Sequence, residues 1–127
     1  MKTGADVFER AMSLLGYTGV YGEVDGAQSA ELFRRGLDII NQVTADLWPL
    51  EQGEADFVPL VSTQEALPLS PQAVEGVAPY GVAMLLAQAD GDGTNQAFYA
   101  ALYQQKRNGV RRLKRERADA LPRPWEG

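Results

Sequence analysis

The sequence predicts a mainly α fold: four helices in an up-and-down arrangement, with a short extended or hairpin arm around residues 50–69 and an extended C-terminal tail. Three observations predict it. Apolar residues recur at the helical period of about 3.6 along most of the chain. Residues that start and stop helices punctuate these stripes. Only "FVPLVSTQEALPLS", from Phe57 to Ser70, interrupts the helical pattern with β-prone pieces.

The first helix starts at Thr3, whose hydroxyl suits an N-cap, with Asp6 at the third helical position. Val7, Ala11, Leu14 and Leu15 share its inner face, and Gly16 ends it. "GYTGVYGEVDG" follows, with four glycines in eleven residues, and reads as a loop. Its GxxGxxG spacing is that of a phosphate-binding turn. No strand precedes it and no lysine serves it, so no phosphate site is expected there.

A long second helix starts near Gln28 or Ser29. Leu32, Gly36, Ile40, Val43 and Leu47 form its stripe, widened by Phe33 and Leu37, while Arg34, Arg35, Asp38 and Asp46 fall outside it. Trp48-Pro49 is expected to stop this helix, because the residue before proline disfavours the α region. The arm beyond is punctuated by Pro59 and Pro68, which suit edge strands or a loop.

Ser70-Pro71 marks the third helix, a capping side chain followed by proline at the first helical position. Val74, Val77, Gly81, Met84, Leu85 and Gln88 share a face, and Pro79 should kink the helix or break it. Its many alanines and glycines permit close helix–helix approach. "DGDGTN" then separates the third helix from the fourth. Asp90 and Asp92 match the first two ligands of a calcium-binding loop, but Thr94, Asn95 and Ala101 stand where the later ligands and the required glycine belong. The expected reading is a tight turn with Thr94 as the next N-cap.

The fourth helix runs from about Thr94 towards Arg117. Phe98, Leu102, Gly109 and Leu113, with Tyr99, Tyr103 and Val110, cover one broad side. Arg107, Arg111, Lys114 and Arg115 fall on the other. The predicted core is Phe33, Ile40, Val43, Leu47, Val77, Leu85, Phe98 and Leu102. Residues 1–118 read as one helical domain and 119–127, with "LPRPWEG", as an extended tail.

Charge is unevenly placed. The net charge is −5, but residues 1–105 carry 4 basic and 14 acidic side chains, giving −10, and residues 106–127 carry 8 basic and 3 acidic, giving +5. An acidic body opposes association with phosphates. With no cysteine and no histidine, the chain has no disulfide, no thiolate or imidazole metal site and no Cys/His or Ser/His nucleophile. No cofactor, metal or catalytic residue is expected, although a carboxylate pair remains chemically open. No apolar run of about 18 residues is present. The opening residues do not read as a signal peptide, so synthesis in the cytoplasm is expected.

The second half has a distinctive layout. "LPLSPQAVEGVAPYGVAMLLAQADG" meets "NQAFYAALYQQKRNGVRRLKRER" through a short turn, and an aromatic break, "LDIINQVTADLWPLEQG", precedes the pair. With its basic helical end and proline-bearing tail, the chain resembles the head-to-tail adaptor proteins of tailed bacteriophages and prophages, which complete heads and stabilise packaged DNA. The resemblance implies a helical, non-enzymatic subunit that joins copies of itself in a ring, typically twelve-fold, beneath the portal protein. The ring would extend the DNA channel without reading sequence and offer a platform to downstream tail proteins. It implies a place at the head–tail junction of the virion after synthesis in the host cytoplasm, with no membrane partner.

Engagement of the portal, by the same resemblance, falls to about Lys106–Gly127. The candidate partner-docking residues are Arg107, Arg111, Arg112, Lys114, Arg115, Arg117, Leu121, Arg123 and Trp125. Three other readings stand beside it: a solvated helix face, a small helical DNA-binding transcription regulator, and an enzyme using carboxylates alone. A regulator would want a helix-turn-helix and a net-basic domain. The enzyme would want carboxylates such as Asp90 and Asp92 converging in a pocket.

Overall fold

The computed structural model describes the backbone of residues 2–16, 26–53 and 55–120, and their side chains apart from those of residues 26–34 and 111–120. The fold is mainly α. Its helices are α1 (Gly4–Leu14), α2 (Gly26–Gln52), α3 (Pro71–Gly76), α4 (Ala78–Ala89) and α5 (Gly93–Ala120). The expected third helix is the pair α3 and α4, so four helical units remain.

The start of α1 is fixed by a reciprocal capping box. The Thr3 hydroxyl accepts from the Asp6 N–H at 3.2 Å, and Asp6 Oδ2 accepts from the Thr3 N–H at 2.9 Å. These bonds favour the carboxylate, so Asp6 is held below its ordinary pKa, chiefly by the Thr3 backbone. The helix closes at Leu15 and Gly16 as expected.

Helix α2 does not stop at Trp48-Pro49. It runs on to Gln52 with Pro49 inside its last turn. A proline there removes one intrahelical bond near an end that already has unpaired groups, and both Ala45 and Pro49 face solvent. The stop is Gly53, which has φ of +65° and donates its N–H to the Pro49 carbonyl at 3.2 Å. A left-handed glycine ends the helix more effectively than a proline within its final turn.

Residues 55–70 form neither strands nor a hairpin. They wrap back across the bundle as a loop, with one antiparallel bridge between Thr3 and Ala66. Each expected strand is tied to a helix instead of to the other. The Asn41 side chain clamps Leu60, accepting its N–H at 2.8 Å and donating to its carbonyl at 3.0 Å. The N–H groups of Gly4 and Ala5, unpaired within α1, donate to Glu65 and Thr63. Trp48 donates to the Ala55 carbonyl at 2.6 Å and lies against Phe57, with ring centroids 5.7 Å apart. Leu60 and Leu67 fill the core from this loop.

Ser70 caps α3 through the Ala73 N–H, with Pro71 at the first position, as predicted. The break foreseen for Pro79 falls at Val77, whose backbone (φ −124°, ψ −51°) leaves the helical region. The break places Pro79 in the first turn of α4, where its missing N–H is not needed.

Helix α4 is the centre of the bundle and touches every other helix. Val82, Ala83, Leu86 and Ala87 are buried on it together with Ala78 and Gly81. A helix that is apolar on nearly every side must be enclosed. This differs from the expected single face: Leu85 is half-buried and Gln88 is exposed.

The turn into α5 satisfies both helices. Gly91 (φ +71°) donates to the Gln88 carbonyl and Asp92 to the Ala87 carbonyl, at 3.1 and 2.9 Å, closing α4 in a Schellman motif. Asp92, not Thr94, caps α5, accepting the Asn95 N–H at 3.1 Å. The core of α5 is also rotated from expectation. Tyr99 and Tyr103 are buried and Leu102 is half-buried, while Phe98 is 57% exposed. Phe33 lies among the side chains that are not described. The helix persists to Ala120, two residues into the expected tail.

Candidate docking surface

The basic stretch is helical over its whole length, because α5 is unbroken from Gly93 to Ala120. Its first two cations are drawn onto the body of the protein. Lys106 Nζ sits 4.5 Å from the centroid of the Tyr80 ring. Arg107 Nε lies 2.9 Å from Asp46 Oδ2 on α2. Arg107, expected on the outer face beside Arg111, is therefore half-buried against α2. Sequence alone placed Asp46 outside the α2 stripe, which is correct, but gave no sign of the partner that covers it.

The same carboxylate oxygen accepts the Tyr103 hydroxyl at 2.5 Å. Burial, then the bond to Asp46, pushes the Tyr103 phenol well above its ordinary value, so it stays protonated and donates. The ring is seated on Gly81, where a Cβ would stand 2.7 Å from Cε1. Four residues earlier on α5, the Tyr99 hydroxyl donates to the Leu14 carbonyl at 2.6 Å. Tyr99 and Tyr103 thus fasten the first half of α5 to α1, α2 and α4 at once. Val110 is the last residue of α5 described as packing on the core.

Beyond that point the backbone continues as helix to Ala120. Arg111, Arg112, Lys114, Arg115 and Arg117 lie on this distal segment, which is backbone helix through Ala120, and their side chains are outside the described residues. Leu121, Arg123 and Trp125 lie outside them entirely, as do residues 17–25 of the glycine-rich stretch with phosphate-loop spacing. By length alone α5 outruns its neighbour: 28 residues rise about 42 Å, whereas the 12 of α4 rise about 18 Å.

The loop between α2 and α3 adds an apolar feature that the sequence placed only within an arm. Val58 and Val61 are 76% and 82% exposed, on either side of the clamped Leu60. Asp90 and Asp92, the acids of the calcium-like motif, belong to the α4–α5 turn. Among the described residues, no group of three or more acidic, histidine or cysteine side chains is placed to hold a metal ion. No helix among the described residues is long and apolar enough to cross a membrane. No family model, curated protein or solved structure matches the chain.

Proposed function

We propose that the protein is a structural assembly subunit, a head-to-tail adaptor of a tailed bacteriophage or prophage. It works by docking the distal basic end of α5 on an acidic surface of the portal protein. The observation that carries this reading is the division of the basic stretch. Lys106 and Arg107 are spent on the subunit's own Tyr80 and Asp46. The cations from Arg111 to Arg117 follow on the same helix, C-terminal to Val110.

Arginine dominates this segment, and its planar fork suits paired contacts with carboxylates. Copies arranged around the portal would line a DNA channel by repetition, needing only backbone contact with the duplex. The acidic body disfavours a free-standing DNA binder. So does the antiparallel run of α4 and α5: Gly81 meets Tyr103 and Tyr80 meets Lys106, so α5 lies along its neighbour. A helix-turn-helix reader needs its second helix projected into a groove.

Co-sedimentation with purified portal rings tests the reading. Wild-type protein should be captured, less so as salt rises. The double variant Arg111→Glu with Arg115→Glu should lose most of that capture while keeping its helical content. Equal capture of the variant, or tighter association with duplex DNA than with portal, would overturn the proposal.

A further inference from the structure

A trough runs along the outer side of α1, between it and α3. Its larger part, about 360 Å³, is lined by Lys2, Asp6, Leu69, Val74 and Glu75, and its continuation reaches Arg10 and the start of α4. The floor is apolar. The charges on its walls are ordered: Asp6 and Glu75, with Lys2 beside them, line both parts in the middle, and Arg10 lines only the continuation at one end. These four side chains are exposed.

The last seven residues, "LPRPWEG", carry the complementary order. Arg123 stands in the middle, an apolar group lies on each side in Leu121 and Trp125, and Glu126 follows. Two prolines favour an extended chain, which spans about 16 Å from Leu121 to Glu126. The α1 wall from Gly4 to Arg10 rises about 9 Å, and the trough continues past it to Leu69 and Pro71. Arg123 laid over Asp6 and Glu75 brings the flanking apolar groups onto the floor, and Glu126 towards Arg10.

We propose that this trough receives the Leu121–Glu126 segment of a second copy of the chain. From Val110, α5 carries the chain about 15 Å further along its axis as helix. Its own tail would have to reverse over almost its whole length to return. A tail in the neighbour's trough instead makes a head-to-tail contact, the kind that closes rings when the rotation allows. The inference deepens the assembly reading above and rests on it for the ring. It assigns the tail to the next subunit and leaves the basic helix to the portal.

Charge-swapped full-length chains test this by sedimentation at low salt, across concentrations up to the highest attainable. Wild type should self-associate weakly and reversibly. Glu75→Arg and Arg123→Glu should each weaken self-association roughly tenfold or more. The double variant should recover it, and so should an equal mixture of the two single variants, because each then offers the other an opposite charge. Circular dichroism and thermal unfolding check that each variant is folded. Wild type that stays monomeric throughout, single variants that associate like wild type, or a mixture that fails to recover would each overturn the inference, the last two by placing the tail elsewhere or in its own trough. None of these outcomes depends on portal binding, so the two proposals fail separately.

Discussion

The Tyr103 phenol donates to Asp46 across 2.5 Å, and the oxygen that accepts it also holds Arg107 at 2.9 Å. One half-exposed carboxylate on α2 thereby fixes two successive turns of α5. Tyr103→Phe keeps the packing on Gly81 and removes only the donor. A loss of about 1.5–3 kcal/mol is expected, the range for a bond to a charged acceptor. The pH dependence has a defined sign. Below the ordinary value of 10.0 the phenol is neutral in folded and unfolded chains alike. Above it the unfolded chain releases the proton and the folded chain keeps it, so stability falls as pH rises. Denaturant unfolding between neutral and strongly alkaline pH should show a steeper fall for wild type than for Tyr103→Phe. Equal slopes would remove Tyr103 as the cause.

Gly81→Ala sets two effects against each other. Alanine in a helix interior gains about 1 kcal/mol over glycine. Here its Cβ would stand 2.7 Å from the Tyr103 ring, which Asp46 prevents from simply swinging away. Overpacking of this kind costs about 1–3 kcal/mol. The net effect in wild type should be destabilising. In a Tyr103→Ala background the clash is gone, so the same substitution should stabilise. Thermal unfolding of the four chains of that cycle checks the reversal of sign.

Asn41→Ala removes both bonds that hold the Leu60 backbone. About 1–3 kcal/mol should be lost, because a part-buried amide and carbonyl are left without their partner. Hydrogen exchange is the direct readout. The Leu60 amide should lose protection, while amides in the middle of α4 change only by the global loss.

Ile40 and Leu102 should separate clearly on truncation. Ile40 is fully buried, so Ile40→Ala should cost about 2–5 kcal/mol. Leu102 is half-buried against the core and should cost less than Ile40, since less area and a smaller cavity are involved. Chemical denaturation gives both values. A smaller loss at Ile40 than at Leu102 would contradict the packing described.

Local chemistry was the legible part of this fold. Thr3 with Asp6, Gly16, and Ser70 with Pro71 act within a few residues of themselves, and each does what its neighbours dictate. Pro49 misled because the rule for proline concerns helix interiors, and one turn from an end it loses force. Phe98 misled because adjacent residues on a helix differ by only about 100°, and a run of four aromatics and leucines leaves the phase to tertiary contacts. Those contacts favour Tyr99 and Tyr103, whose hydroxyls find Leu14 and Asp46 far away in sequence. Asn41 at Leu60, Arg107 at Asp46 and the trough beside α1 are of the same kind. Each requires two segments to be brought together before its chemistry exists.

The turn at Gly91 also bears on how the chain reaches this state. Closing a loop of two or three residues loses little chain entropy, and the two helices it joins make the most extensive helix–helix contact among the described residues. The α4–α5 hairpin is therefore the natural place for folding to begin, before α1 and α2 have partners. Gly91→Ala would strain a residue held at φ +71°. Its effect should fall mainly on the rate of folding, with the rate of unfolding nearly unchanged, whereas the Asn41→Ala loop should show the opposite partition in a stopped-flow chevron.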